Sequence, residues 1–529
     1  MTPALLGIMR RFNRWRLVLA VFLLVYAALL IIELDYNAIV WDETPHLYGG
    51  LLLSRGQLQE YMQAEAYYPP VFDLVTGLFF KAFGSGVFSA RLVAVTFSVL
   101  SVWAVFEFGY QFYGPKTGLV ASVLLASMPG FIWLSRMAML ETMLLFFFSI
   151  LLLLFFSWMH TSKKNMLTLC GVALGLGVLV KYQAVVGGVI MLVTLLLFGR
   201  ERIVDRLGKI LYIAIIAVAV ILPWFVIMYQ QYAIGTLGIW FYALQTGNAE
   251  RLVYSSRFPS PIFYLIEMVY PYSHIHPISL PVYIFALLGL GFWLKRRNEG
   301  DKFLLTTFFV VYVVFMLIPS KDWRYITLVF PILAISASNF VMSLLEKAKN
   351  RLKTPHVSFR KKSIIKVAAA ALVLLLSASV IFSSLQAYEW VEFDRIKVPV
   401  GEACQYVAEH SVLNETAVAL FTSNLFNMHM MRFYLAIHDP GQRELWQYPE
   451  NPVDVFEPQF NATLLIEQSE VLNVKYLLLF EYGNNPFFKS DWRYSDVLKR
   501  MDNTGRFVEE IAFGSAPRRI FIIRFLSNS

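Results

Sequence analysis

Residues 171–192 read GVALGLGVLVKYQAVVGGVIML, with Lys181 set between two apolar stretches and almost no polar linker. The stretches suit two membrane spans that meet at a lysine. A charge at that place is expensive in hydrocarbon, so it pairs, lines a polar cavity or anchors at the interface. The rest of the 529-residue chain supports the membrane reading: 58% of residues are hydrophobic, 16% aromatic and only 15% charged. Mean hydropathy is +0.58. A soluble domain carries about 25% charged residues. Apolar segments near 16–33, 87–110, 117–134, 141–158, 166–181, 184–198, 208–229, 278–294, 303–319, 324–345 and 363–386 predict about eleven transmembrane helices. A helix satisfies its own backbone in lipid, so these segments are helical.

The net charge is +9, but the basic residues cluster between spans, which excludes nucleic acid as the partner they serve. With the N-terminus inside, the inner connections include HTSKKN (160–165), GRERIVDRLGK (199–209), KRRNEGDK (295–302) and EKAKNRLKTPHVSFRKK (346–362). This parity meets the positive-inside rule. It places the long loops 34–86 and 230–277 outside, and makes PPVFDLVTGLFFKAFG (69–84) an interfacial helix rather than a span. MRRFNRWR (9–16) reads as the basic inner end of a retained first span. Cys170 and Cys404 are the only cysteines, and Cys170 lies in an apolar run, so a structural disulfide is not expected.

From about residue 388 the composition turns polar, with short β-like runs AVALF, KYLLLF and RRIFIIRF and helical VGEACQYVAEH and SDVLKRMDNTG. The organisation predicted is therefore a polytopic α-helical domain over 1–387 and a soluble α/β extracytoplasmic domain over 388–529. The sequons at Asn414 and Asn461 suit that side, though the pattern is common.

Parity then collects ionisable residues at the outer helix ends and loops: Asp42, Glu43, His46, Glu65, Arg91, Arg136, Glu141, Lys181, Arg257, His274, His276, Lys321, Asp322 and Arg324. Acids and cations in one leaflet suit one chemistry: a carboxylate takes a proton from a hydroxyl while cations hold a phosphate that leaves. Each residue also has a plain reading. Asp42 in WDET can cap the following helix. Arg91 and Arg136 can snorkel. His274 and His276 bind a metal only if their segment is extended. No phosphate-cradling Gly-rich loop is present, which disfavours a nucleotide-sugar donor.

In order and spacing, WDETPHLYGG (41–50), YYPPVFDLVTGLFFKAFGSGVFSARLVAV (67–95), GPKTGLVASVLLASMPGFIWLSRMAMLETMLLFF (114–147), CGVALGLGVLVKYQA (170–184) and SKDWRYITLVFPILAISAS (320–338) resemble the GT-C-fold membrane glycosyltransferases. The similarity is to the superfamily of dolichyl-phosphate-mannose–protein mannosyltransferases and aminoarabinose–lipid A transferases, over roughly residues 10–345. The resemblance implies transfer of one sugar, with inversion, from a polyprenyl-phosphate donor to a protein, lipid or glycan acceptor outside the cytoplasm of a cell membrane. It implies Asp42 as general base with Glu43 beside it, and Arg91, Arg136, Lys181, Lys321 and Arg324 as holders of the donor phosphate. Glu141, where the family usually has Asp, would contact substrate, with His46 and Tyr325. Glu65, near the paired prolines, matches an acid tied to metal in related transferases. No cofactor is demanded; a divalent metal at Glu65, His274 and His276 is permitted. The competing readings are a lipid-linked glycan transporter or flippase, and an oligosaccharide ligase.

Overall fold

The computed structural model describes residues 14–527 apart from 37, 66–67, 199–201, 239–253, 272–274, 355–357, 394–396, 413, 421–424, 440–443, 449–459 and 482–493. Two compact units emerge. The first holds the N-terminal segment to Leu34, 58–75 and 91–393; the second joins Asp35–Gln57 and Thr76–Ala90 to Asp394–Ser529.

The first unit is helical. Its long elements are α1 (Arg14–Ile31), α5 (Val87–Tyr113), α6 (Pro115–Ser127), α7 (Pro129–Ser135), α8 (Glu141–Thr161), α9 (Lys164–Val180), α10 (Val186–Phe198) and α11 (Ile203–Tyr232). They are followed by α13 (Leu280–Arg296), α14 (Glu299–Leu317), α15 (Phe330–Lys353) and α16 (Phe359–Phe393). All eleven expected segments are helical. Among the described residues, seven of the helical stretches are long and apolar enough to cross a membrane, or eight if the bent pair α6–α7 is one span.

The difference from eleven has local causes. Pro129 opens α7, and the residue before it, Met128, is extended, so the chain bends by 72° there. Lys181 is also extended (φ −156°, ψ 129°) and divides α9 from a 3₁₀ turn, Tyr182–Val185, and α10. At 17 residues, α9 and α13 reach about 25 Å. Helix α5 lies tightly on α6: a Cβ on Gly118 would stand 2.5 Å from the Phe106 carbonyl oxygen, which is how small residues let helices pack in lipid.

Short helices α2 (Thr44–Ser54), α3 (Leu58–Glu65) and α4 (Val71–Phe83) follow the first span. Helix α4, at 13 residues, is about 20 Å long and too short to cross. In the second unit, the tail contributes α17 (Val400–His410), β1 (Thr416–Leu420), α18 (Met428–His438), β2 (Leu445–Tyr448), α19 (Ala462–Val471), β3 (Val474–Phe480), α20 (Tyr494–Asp502), β4 (Phe507–Phe513) and β5 (Ile520–Phe525). The sheet order is β2-β1-β3-β5-β4. Strand β1 is parallel to β2 and β3, while β5 is antiparallel to β3 and β4. Every residue of β1 is buried, as expected of a central parallel strand covered on both faces.

Candidate active site

The two adjacent acids differ in role. Residues Trp41–Glu43 form one 3₁₀ turn. Glu43 is fully buried, and its Oε2 accepts from the Val40 amide at 3.0 Å while its own amide donates to the Val40 carbonyl. It therefore caps the turn it belongs to. Thr44 Oγ1 closes the turn by donating to the Trp41 carbonyl at 2.7 Å. Asp42, half-buried, is the acid not used in that cap. His46 is buried on α2. These residues belong to the second unit, where a cavity of about 320 Å³ is lined by Asp35, Tyr36 and Ile39 on the approach to the turn and by Met430 and Tyr434 of α18.

The cations of the first unit fall into two groups. Arg136 donates to the carbonyls of Leu30, Ile32 and Glu33 at 2.7–3.1 Å, and Arg91 to that of Leu34 at 3.0 Å. The last carbonyls of a helix have no partner within it. These guanidiniums supply donors to the end of α1 and the chain that leaves it.

In the second group Lys181 and Arg324 meet side chains, and Lys321 a main-chain carbonyl. Lys181 Nζ donates to Glu141 Oε1 at 2.8 Å and lies 5.7 Å from the centre of the Tyr325 ring. Glu141 is 5% exposed at the first residue of α8, whose positive end suits an acid. Arg324 is in electrostatic reach of Glu141 and binds Asp322 Oδ2 through Nε (3.2 Å) and Nη2 (2.9 Å). Asp322 also caps the 3₁₀ turn Trp323–Val329, which carries Arg324 and Tyr325. Lys321 is buried and donates from Nζ to the Ile318 carbonyl at 2.7 Å; burial pushes its ammonium below the ordinary lysine range.

Three polar residues join this group without having been singled out in the sequence. Tyr254 donates a short hydrogen bond to Glu267, which is fully buried on α12 (Ser260–Glu267) and lies 3.9 Å from Arg257. Burial, then the charges of Asp322 and Glu267, push the Tyr254 phenol well above its usual value. Tyr264, one helical turn before Glu267, is raised in the same way by burial and Asp322. Glu267 sits among apolar residues in PIFYLIEMVY, where sequence alone gives no partner; the only signal was an acid in an apolar helix.

For a metal, His276 Nδ1 is 3.0 Å from the Val269 carbonyl, the Glu65 side chain and His274 lie outside the described residues, and no three His, Cys, Asp or Glu side chains converge among those described.

Residues 68–227 match the family model described as dolichyl-phosphate-mannose-protein mannosyltransferase. Arg91, Arg136, Glu141 and Lys181 fall inside that match; the acid turn and Arg324 fall outside it. No curated protein matches the sequence significantly. The fold is similar to that of ArnT from Cupriavidus metallidurans in the apo state, with TM-score 0.64 and 14% identity over 96% of this chain and 97% of that one. It is similar to the same protein bound to undecaprenyl phosphate, with TM-score 0.63 and 15% identity over 97% and 98%. The archaeal oligosaccharyltransferase AglB from Archaeoglobus fulgidus, in complex with an inhibitory peptide and a dolichol-phosphate, is similar with TM-score 0.55 and 14% identity over 87% and 69%. The chain thus shares the fold of these membrane proteins, and residues 68–227 are similar to the mannosyltransferase family model.

Proposed function

We propose that the protein transfers a single sugar from a polyprenyl-phosphate donor to an acceptor hydroxyl on the extracytoplasmic face of a cell membrane, with inversion. The observation that carries this reading is the cluster in which Lys181 and Arg324, 143 residues apart, gather around Glu141 and Tyr325. A lipid phosphate needs cations at a helix end, where its tail stays in the bilayer. The match to a structure that binds undecaprenyl phosphate supports the same donor class.

In the proposed reaction the acceptor oxygen attacks the anomeric carbon as Asp42 takes its proton. The bond from that carbon to the phosphate oxygen breaks, and its electron pair leaves on the lipid phosphate. Lys181 and Arg324 neutralise that charge, Arg as a fork and Lys as a point. Glu141 and Asp322 hold the two cations in place before donor arrives, which is where preorganised electrostatics gain most. Arg91 and Arg136 are assigned to bracing the end of α1, not to phosphate. Positive-inside parity supports placing the acid turn and the tail outside.

Purified protein given a labelled polyprenyl-phosphate monosaccharide and acceptor membranes tests this. Label on an acceptor with release of free lipid phosphate is expected. Movement of label without bond cleavage overturns it in favour of a transporter. Transfer only of whole lipid-linked oligosaccharides does so in favour of a ligase. Asp42→Asn should lower turnover by about 10²–10⁴-fold with folding intact; normal turnover removes Asp42 from its role.

A further inference from the structure

The acid turn is packed by the tail. All the contacts concerned lie within the second unit. The Trp41 ring meets His429 of α18 edge to face, with centroids 5.3 Å apart and planes at 68°. One turn along α18, the Arg432 guanidinium lies 5.8 Å from the centre of the Tyr48 ring on α2. A turn further, the Ala436 carbonyl accepts from Arg55 Nη2 at 2.7 Å, just past the end of α2. Residues 429, 432 and 436 share one face of a helix, by the spacing of three and four. Thus one face of α18 touches the acid turn, the middle of α2 and its end.

Helix α18 is itself fixed. Met430, Met431 and Phe433 are buried, and fully buried Asn427 caps its start by accepting from the Met430 amide at 3.0 Å. On another side α2 lies against α4 with no room to shift: a Cβ on Gly50 would stand 2.5 Å from Thr76 Cγ2, and one on Gly77 3.0 Å from the Gly50 carbonyl oxygen. Two packed surfaces therefore hold the short helix that follows Asp42.

We infer that α18 is the positioning element of the acid turn, and that His429 acts through Trp41 to aim the Asp42 carboxylate. This rests on the reading of Asp42 as base. His429 suits a fixed ring contact. Burial, with the charge of Arg432 adding to it, holds its pKa down to about 4, so the ring stays neutral at working pH. A loss of aim of about 1 Å can cost about 10²-fold in rate without loss of binding. The tail is thereby part of the catalytic apparatus and not only a cover for the loops.

The test compares His429→Ala, His429→Phe, Trp41→Ala and the double variant Trp41→Ala/His429→Ala in the full-length protein, using a labelled polyprenyl-phosphate monosaccharide. His429→Ala and Trp41→Ala should each lower kcat by about tenfold or more, with donor KM and Tm held. His429→Phe, which keeps an edge-to-face ring pair, should regain most of the rate. The double variant should be no slower than the worse single. The inference is overturned if His429→Ala turns over normally, if its loss appears equally in donor KM and Tm, or if His429→Phe is as slow as Ala. Should His429→Ala fail to fold, His429→Phe and Trp41→Ala decide by the same readings. Asp42→Asn is the control. An inactive Asp42→Asn beside a normal His429→Ala sinks only this inference, while an active Asp42→Asn sinks the base.

Discussion

Arg91 and Arg136 look much like Lys181 and Arg324 in the sequence: single cations at the margins of apolar runs, all on one side of the membrane by parity. The structure gives them opposite partners. Arg136 meets three main-chain carbonyls. Lys181 and Arg324 meet carboxylates. A carbonyl at a helix end has no partner within the helix, so a cation that donates to it holds backbone. A carboxylate is a movable partner, and a phosphate oxygen can take its place on the cation, most strongly as the leaving lipid phosphate gains its second charge. On the proposed reading, the difference separates cations that hold the fold from cations that can exchange a partner for a ligand.

The sharpest way to break this comparison is at Lys181. Lys181→Met should lower transfer by about 100-fold or more. It also leaves Glu141 buried without its ion pair, which is strongly destabilising. Pairing it with Glu141→Gln should restore thermal stability in detergent without restoring transfer. If Lys181→Met/Glu141→Gln transfers normally, Lys181 is a structural cation like Arg136 and the distinction falls.

Arg136 is the reciprocal case. Arg136→Met removes the donor to three carbonyls, and a hydrogen bond to a charged group is worth about 1.5–3 kcal/mol. A loss of about 2–4 kcal/mol in unfolding free energy is expected. The folded fraction should bind donor normally, as measured by KM. Arg136→Lys should recover little, because an ammonium cannot span the fork of three carbonyls. A rise in donor KM at unchanged Tm would move Arg136 into the phosphate site.

These partners explain what the sequence could and could not disclose. The spans were legible because a helix in lipid is a run of apolar residues, and all eleven runs are helical. The crossing count was less so: Pro129 and Lys181 break apolar sequence through backbone conformation, which hydropathy does not record. In the tail, β1, β3 and β5 showed as β-branched and leucine-rich runs, whereas β4 (FVEEIAF), with Glu509 and Glu510 exposed or half-buried, did not. At the site, Lys181 declared itself by being costly. Glu43 did not, because a buried cap and a solvated acid are written with the same letter. Nor did the packing of α18 on the acid turn, a contact nearly 390 residues long in sequence.

The same fork chemistry recurs where water reaches it, and there the comparison gives its smallest effect. Arg519 holds Glu481 through Nε (3.0 Å) and Nη2 (2.8 Å) in the tail. These bonds, opposed by burial, keep the Glu481 carboxyl below its ordinary 4.5. A folded pKa below the unfolded one means the unfolded chain binds the proton more readily. The stabilisation is therefore complete above about pH 4.5 and is lost as pH falls through the folded value. Arg519 is over a third exposed, so screening leaves the pair little. Glu481→Gln should lower Tm by about 1–2 °C at pH 7. The gap should close on acidification below pH 4.5 and narrow in high salt. A gap that is constant with pH would show that packing, not the ion pair, holds this corner, and that a fork to a carboxylate stabilises only where water is kept out, as at Arg324.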